Sequence, residues 1–275
     1  MSIFEEIIGM FSYSFMIRAI IVGGLVALIA SILGVVLVLK RYSMIGDGLS
    51  HVGFGAMAVS LAFNQAPLYF AIPIVVVAAF LLLRVSENSK IKGDAAIGLI
   101  SSSALAIGMI VNSLSNGTNI DLNSYMFGSI LAIEKSEMIL CVVLGLIIIG
   151  VFIWFYNPIF AITFDENFAK ATGLKVEVYK TVLSVLTALT IVIGMRIMGT
   201  LLISSLIIFP ALSAMRVTKK FKMVMIMSVI ISLVCFFAGL VASYLIELPT
   251  GASIVVSNLI VFIIMSIVGI IKEKV

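Results

Sequence analysis

Charge is the scarcest ingredient of this chain: only 11 % of its 275 residues are Asp, Glu, Lys or Arg. A soluble domain carries roughly a quarter charged residues because its surface must face water, so a water-facing domain is excluded. Histidine occurs once and cysteine twice. One histidine is too few for the metal shell of an intramembrane zinc protease, and an intramembrane hydrolase of another kind would need a nucleophile–base pair. Cys141 and Cys235 both lie inside apolar runs, where a free cysteine behaves as a small hydrophobe, so they say little about redox compartment. No GxxxxGK[ST] loop occurs, which removes that route to nucleotide binding. Alternating strands of about ten residues, the mark of a membrane barrel, are missing too.

What remains is 63 % hydrophobic, gathered into runs of about twenty, long enough to cross about 30 Å of hydrocarbon as helix. The expected fold is an all-α integral membrane protein, a polytopic bundle of about nine transmembrane helices in one membrane domain, 1–275. With charged and turn-forming clusters as breaks, the spans are 17–39, 46–63, 67–83, 95–114, 138–155, 178–195, 199–215, 223–246 and 251–271. Eight spans result if the sixth and seventh, divided only by Arg196 and nearby glycines, run together. Residues 126–133 are apolar but too short to cross and read as a re-entrant or surface helix. Ile3, Ile7, Ile8, Phe11 and Phe15 recur at helical spacing, as in a short helix lying in the interface. Glu5 and Glu6, with no basic flank, do not read as a cleaved signal peptide.

The net charge of +4 is a topology signal. With the N-terminus outside, the inner connections hold Lys40 and Arg41; Arg84, Lys90 and Lys92; Lys170, Lys175 and Lys180; Arg216, Lys219, Lys220 and Lys222; and Lys272 with Lys274. Those are fourteen of the seventeen basic residues, the bias expected of cytoplasmic loops. The C-terminus is then cytoplasmic, and no nucleic-acid partner is implied. Lipid is the solvent.

Asp47 and His51 stand at i and i+4 where the second span begins, on one helix face with Cβ atoms about 5–6 Å apart. A carboxylate and an imidazole so placed can bind one divalent cation such as zinc, manganese or iron. Ionisable residues cost roughly 2.5–3.5 kcal/mol inside a membrane, so they mark pathways. The competing reading makes Asp47 a helix N-cap and gives His51 a backbone carbonyl as partner. Gly46, Gly48, Gly53 and Gly55 around the pair suit close helix approach, which packing alone would explain. The longest inner connection, 157–177, contains acids, a helix-forming stretch and then Gly173, the pattern of a short capped helix. Phe168, Ala169 and Leu174 give it a small apolar surface; it is either a docking element or a solvated connection.

Several segments, in order, resemble the permeases of bacterial ABC importers for zinc, manganese and iron. They are Met44–His51 (family form near M-x-G-D-A-x-S-H), 91–98, Asp121-Leu-Asn-Ser-Tyr-Met-Phe-Gly-Ser-Ile-Leu131, Asp165–Leu174, Gly199-Thr-Leu-Leu-Ile-Ser-Ser-Leu-Ile-Ile-Phe-Pro210 and 243–251. Many relatives place Pro-Gly after the histidine, where this chain has Gly55 and Ala56. The resemblance implies that Asp47 and His51 contact a transported metal, and that Asp165, Glu166, Phe168, Ala169, Gly173 and Leu174 belong to a coupling segment seated in a cytoplasmic ATPase. It also implies a second copy of the chain, an extracellular or periplasmic metal-binding protein, ATP on the partner subunit, and no cofactor or covalent chemistry on this one. The latter half is similar to siderophore and cobalamin permeases as well. A gradient-driven cation transporter is the other rival; such proteins carry several buried carboxylates near the midplane, whereas Asp47 is the only clear acid within a span.

Overall fold

A computed structural model describes residues 9–63, 65, 67–88, 93–114, 128, 133 and 135–273. Among these the secondary structure is entirely helical. The elements are α1 (Ser14–Leu39), α2 (Ile45–Ala62), α3 (Pro67–Asn88), α4 (Gly93–Leu114), α5 (Lys135–Trp154), α6 (Tyr156–Phe164), α7 (Glu166–Ala171), α8 (Val176–Met198), α9 (Thr200–Val217), α10 (Phe221–Ile246) and α11 (Thr250–Glu273). Each of the nine expected spans is a separate helix. Seven are long and apolar enough to cross a membrane unaided. The remaining two are α3, with an apolar stretch of Leu68–Leu82, and α2.

The weak hydropathy of α2 has a simple cause, since it holds Asp47, His51 and four glycines in one helix. Its surroundings compensate. Leu49, Phe54, Met57 and Ala58 are buried, and the helix runs inside the bundle against α3, α4, α8 and α9. The glycines are contact points: Gly46 faces the Ile207 side chain, Gly48 faces Ile97, Gly53 faces Met195, and Gly55 lies against the Ala104 carbonyl of α4. By contrast α4 and α11 turn bare faces outward, with Leu99, Ile107 and Ile110 on one and Ile260, Ile263 and Ile267 on the other. Such faces suit hydrocarbon and not water.

One chain break follows the expected division of spans, and the start of the chain departs from expectation. The sixth and seventh spans, α8 and α9, meet at Gly199, whose φ of 84° and ψ of 163° break the helix in one residue. That tip lies within the protein, with Met198 and Thr200 both buried and Gly128 pressed on the Met198 carbonyl. At the start of the chain the interfacial helix expected through Phe15 does not reach that far. The backbone turns at residues 11–13, and Phe15 belongs to α1. Phe11 lies in that turn, and Ile3, Ile7 and Ile8 lie outside the described residues, as do Lys90, Lys92 and most of 121–133.

One end of the bundle collects basic residues. Lys40 at the foot of α1 bonds to α6 and α7, Phe221 at the start of α10 packs on Phe160, and Gly269 of α11 meets Arg216 of α9. Arg196 pairs with Glu137 at 2.8 Å toward the opposite end.

Helices α1 and α9 approach closely, and a Cβ on Gly34 would overlap the carbonyl oxygen of Ile207. Gly24 on the same helix has open space around its Cβ position. Gly34→Ala is therefore expected to destabilise the protein in detergent by about 1–3 kcal/mol, and Gly24→Ala to leave it unchanged. Thermal unfolding of the two purified variants checks the contrast.

Candidate functional site

The α2 helix starts with Met44 at its N-cap, with no side-chain capping bond. Asp47 therefore does not cap the helix, and its carboxylate is turned to other partners. Oδ2 stands 3.7 Å from His51 Nε2, and Oδ1 lies 3.4 Å from the hydroxyl of Ser204 on α9. The acid–imidazole separation is too long for a hydrogen bond. It is close to the spacing of about 3.4 Å that two ligands adopt around one tetrahedral ion with bonds of about 2.1 Å. Both side chains remain reachable, with 40 % of Asp47 and 25 % of His51 exposed in the single chain.

Ser204 adds a third oxygen. Its single hydroxyl proton is shared between Asp47 and the Thr200 carbonyl at 3.0 Å. With that proton on Thr200, the oxygen lone pairs are free to face a cation held by Asp47. No cluster of three or more His, Cys, Asp or Glu exists among the described residues. A carboxylate, an imidazole and a hydroxyl are too few donors for a closed metal shell. Its depth follows from packing. Ile207, one turn along α9 from Ser204, touches both Gly46 and Gly34. Gly34 lies about 8 Å inside the basic end of α1, at 1.5 Å per residue to Leu39.

The connection 157–177 is almost wholly helical. Asp165 ends α6 in an extended conformation and caps α7, its carboxylate accepting the Phe168 amide at 2.9 Å. Gly173 closes α7 with φ 84°. Its amide donates to the Lys170 carbonyl and the Leu174 amide to the Ala169 carbonyl, the paired bonds of a left-handed glycine cap. Phe168 projects outward, 63 % exposed. Ala169 does not share that surface: it is fully buried against Ile162 and Val176, with Leu174 packed beside it. A helix of six residues must bury one face to hold its position, and Ala169 is that face.

Glu166 is the strongest polar anchor of α7. Its two carboxylate oxygens each take a lysine at 2.7 Å, Lys40 from α1 and Lys180 from α8. Burial on its own would raise the carboxyl pKa; the hydrogen bonds and charges of Lys180 and Lys40 outweigh it and hold the group below its ordinary value. Sequence reasoning named Glu166 but missed both lysines as its partners, because they are distant in the chain and looked like topology signals. It also missed Ser204, although Thr200 and Ser204 share one helical face in an otherwise apolar run.

A bundle of long apolar helices enclosing one more polar helix is the architecture of a multi-pass membrane protein. The chain belongs to the ABC 3 transport family, whose model matches residues 12–269; members of that family are transport subunits and not enzymes. It is 30 % identical to the "manganese import system permease protein ScaB" of Streptococcus gordonii, over 94 % of this chain and 93 % of that one. It is 26 % identical to the "high-affinity zinc uptake system membrane protein ZnuB" of Haemophilus influenzae, covering 92 % and 97 %. Among solved structures it superposes on PsaBC from Streptococcus pneumoniae, in complex with a Fab, with a TM-score of 0.85 and 31 % identity, covering 95 % and 94 % of the two chains.

Because the folded carboxyl of Glu166 titrates below its ordinary range, its contribution to holding α7 is present at neutral pH and is lost as pH falls through the lowered value. Hydrogen-exchange protection of the Leu174 amide is expected to stay flat from neutral pH to the ordinary carboxylate range and to fall below it. A decline centred near neutrality would contradict the assignment.

Proposed function

We propose that this chain is the membrane-spanning permease of an ATP-driven importer whose cargo is a divalent transition metal: zinc, manganese or iron. The observation that carries the reading is the spacing of Asp47 and His51, matched to two ligands of one ion. Two copies of the chain enclose the pathway, because one copy leaves the pair open on its surface. Cytoplasmic ATPase subunits supply ATP hydrolysis, and an extracellular or periplasmic binding protein delivers the metal. The protein sits in the bacterial cell (inner) membrane with its N-terminus outside and its C-terminus and basic end in the cytoplasm, as the lysine and arginine bias supports. The ion reaches the pair, exchanges part of its hydration shell for the carboxylate, the imidazole and the Ser204 hydroxyl, and leaves when the two copies reorient. Weak binding serves this cycle, since a tight site would retain the ion.

In the same reading α7 is the docking helix. Asp165 and the Gly173 cap fix its ends, Ala169 and Leu174 seat it, and Phe168 and the exposed edge present it to the ATPase. The role assigned to Ala169 therefore changes from contact to support.

Asp47→Ala and His51→Ala should each reduce metal uptake at least a hundredfold while membrane insertion and ATPase binding persist. Uptake of radioactive zinc or manganese by cells lacking the wild-type gene provides the measurement, and wild-type rates in both variants would defeat the reading. For α7, Gly173→Glu imposes a backbone conformation costing roughly 1 kcal/mol for a non-glycine residue and adds bulk to the exposed edge. Loss of ATPase co-purification is expected, with an intact membrane domain. Undiminished binding and uptake would reduce α7 to a connection.

A further inference from the structure

The apolar seat of α7 is small and separate from the main core: Ile162, Ala169 and Val176 form their own cluster. Such a seat transmits force poorly to the distant spans. The carboxylate of Glu166 supplies a different link, joined to Lys40 and Lys180 at 2.7 Å on opposite oxygens. Both lysine side chains are nearly buried, 5 % and 12 % exposed, so little water competes for either bond; Lys180 also stands 4.0 Å from Glu177, whereas Lys40 has Glu166 as its acidic partner. Lys40 also donates to the Ile162 carbonyl at 3.2 Å.

From Lys40 the contacts run on without a break. It caps α1, and α1 is rigidly set in the core, with Ser228 and Ser232 of α10 donating to the Ser31 and Ala27 carbonyls. At Gly34 it rests on the backbone of Ile207. Ile207 reaches across to Gly46, one residue before Asp47, with its Cδ1 3.0 Å from the Cβ position there. The same helix, α9, holds Ser204 against Asp47. A shift of α1 relative to α9 therefore alters the surroundings of the acid–imidazole pair directly.

We propose that Glu166, by bridging Lys40 and Lys180, is the positioning residue that carries movement of α7 into α1 and α8 and so to the Asp47–His51 pair. This rests on α7 being the docking helix. The carboxylate touches neither the cargo nor ATP. Its work is mechanical: removing one of its two bonds lets α7 follow the ATPase without dragging α1.

Contiguity alone does not establish coupling, so the test measures coupling itself. The permease and its ATPase are reconstituted together in proteoliposomes, and metal uptake is divided by ATP hydrolysed. An Asn167→Cys variant, exposed on α7 and given no part in seating or capping it, is cross-linked to the ATPase and reports docking separately in each sample. Glu166→Gln and Lys40→Gln should each leave the cross-link and ATP hydrolysis near wild type and lower uptake per ATP about tenfold. The double variant should be no worse than either single one, because both break the same bridge. Normal cross-linking with unchanged uptake per ATP overturns the inference and leaves docking standing. No cross-link in the unmutated Glu166 background overturns the docking reading itself. Multiplying losses in the double variant would mean the residues act separately, and failure of all three variants to assemble would make the network a structural clamp only; both results count against the proposal.

Discussion

An acid and a histidine carried into a membrane domain set the conditions that the rest of the bundle has to meet. An aspartate costs roughly 2.5–3.5 kcal/mol at the centre of a membrane helix on insertion scales, so α2 cannot turn that face to lipid. The fold answers by placing α2 between α3, α4, α8 and α9 and letting apolar helices such as α4 and α11 meet the hydrocarbon. Close enclosure needs small residues. The glycines of α2 are consumed in this way, against Ile207, Ile97, Met195 and Ala104. Packing and site chemistry are thus two aspects of one arrangement, since the glycines that seat α2 also fix where Asp47 faces.

The constraint also explains why α8 and α9 join inside the protein. A single residue at Gly199 turns the chain, and the short return brings Ser204 beside Asp47. Buried hydroxyls that bond to backbone carbonyls, such as Ser228 to Ser31 and Ser232 to Ala27, hold α1 beside this region at the depth where hydrogen bonds have no competition from water.

Much of the fold was legible because the bilayer imposes a length and a composition on every span, and charged clusters interrupt them. All nine expected spans appear as helices with ends shifted by a few residues. The α8–α9 break was the hardest to see, since a lone glycine among apolar residues is common. For the site, the i, i+4 spacing of Asp47 and His51 was visible, and so were the capping signals at Asp165 and Gly173. What sequence could not supply was tertiary. Nothing in the pattern says that Met44 takes the N-cap position, that Ala169 turns inward while Phe168 turns outward, or that Lys40 meets a glutamate 126 positions away. Lysine near a span end is read as a topology marker, and the geometry gives Lys40 a structural partner in addition.

The central claim is that Asp47 and His51 share one metal ion during passage. Crystals of the permease–ATPase complex grown with manganese or zinc, measured at the metal absorption edge, address it directly. The account predicts an anomalous peak about 2.0–2.2 Å from both His51 Nε2 and a carboxylate oxygen of Asp47, lost in His51→Ala. A peak elsewhere in the pathway, with the pair free of metal at saturating concentration, would contradict it.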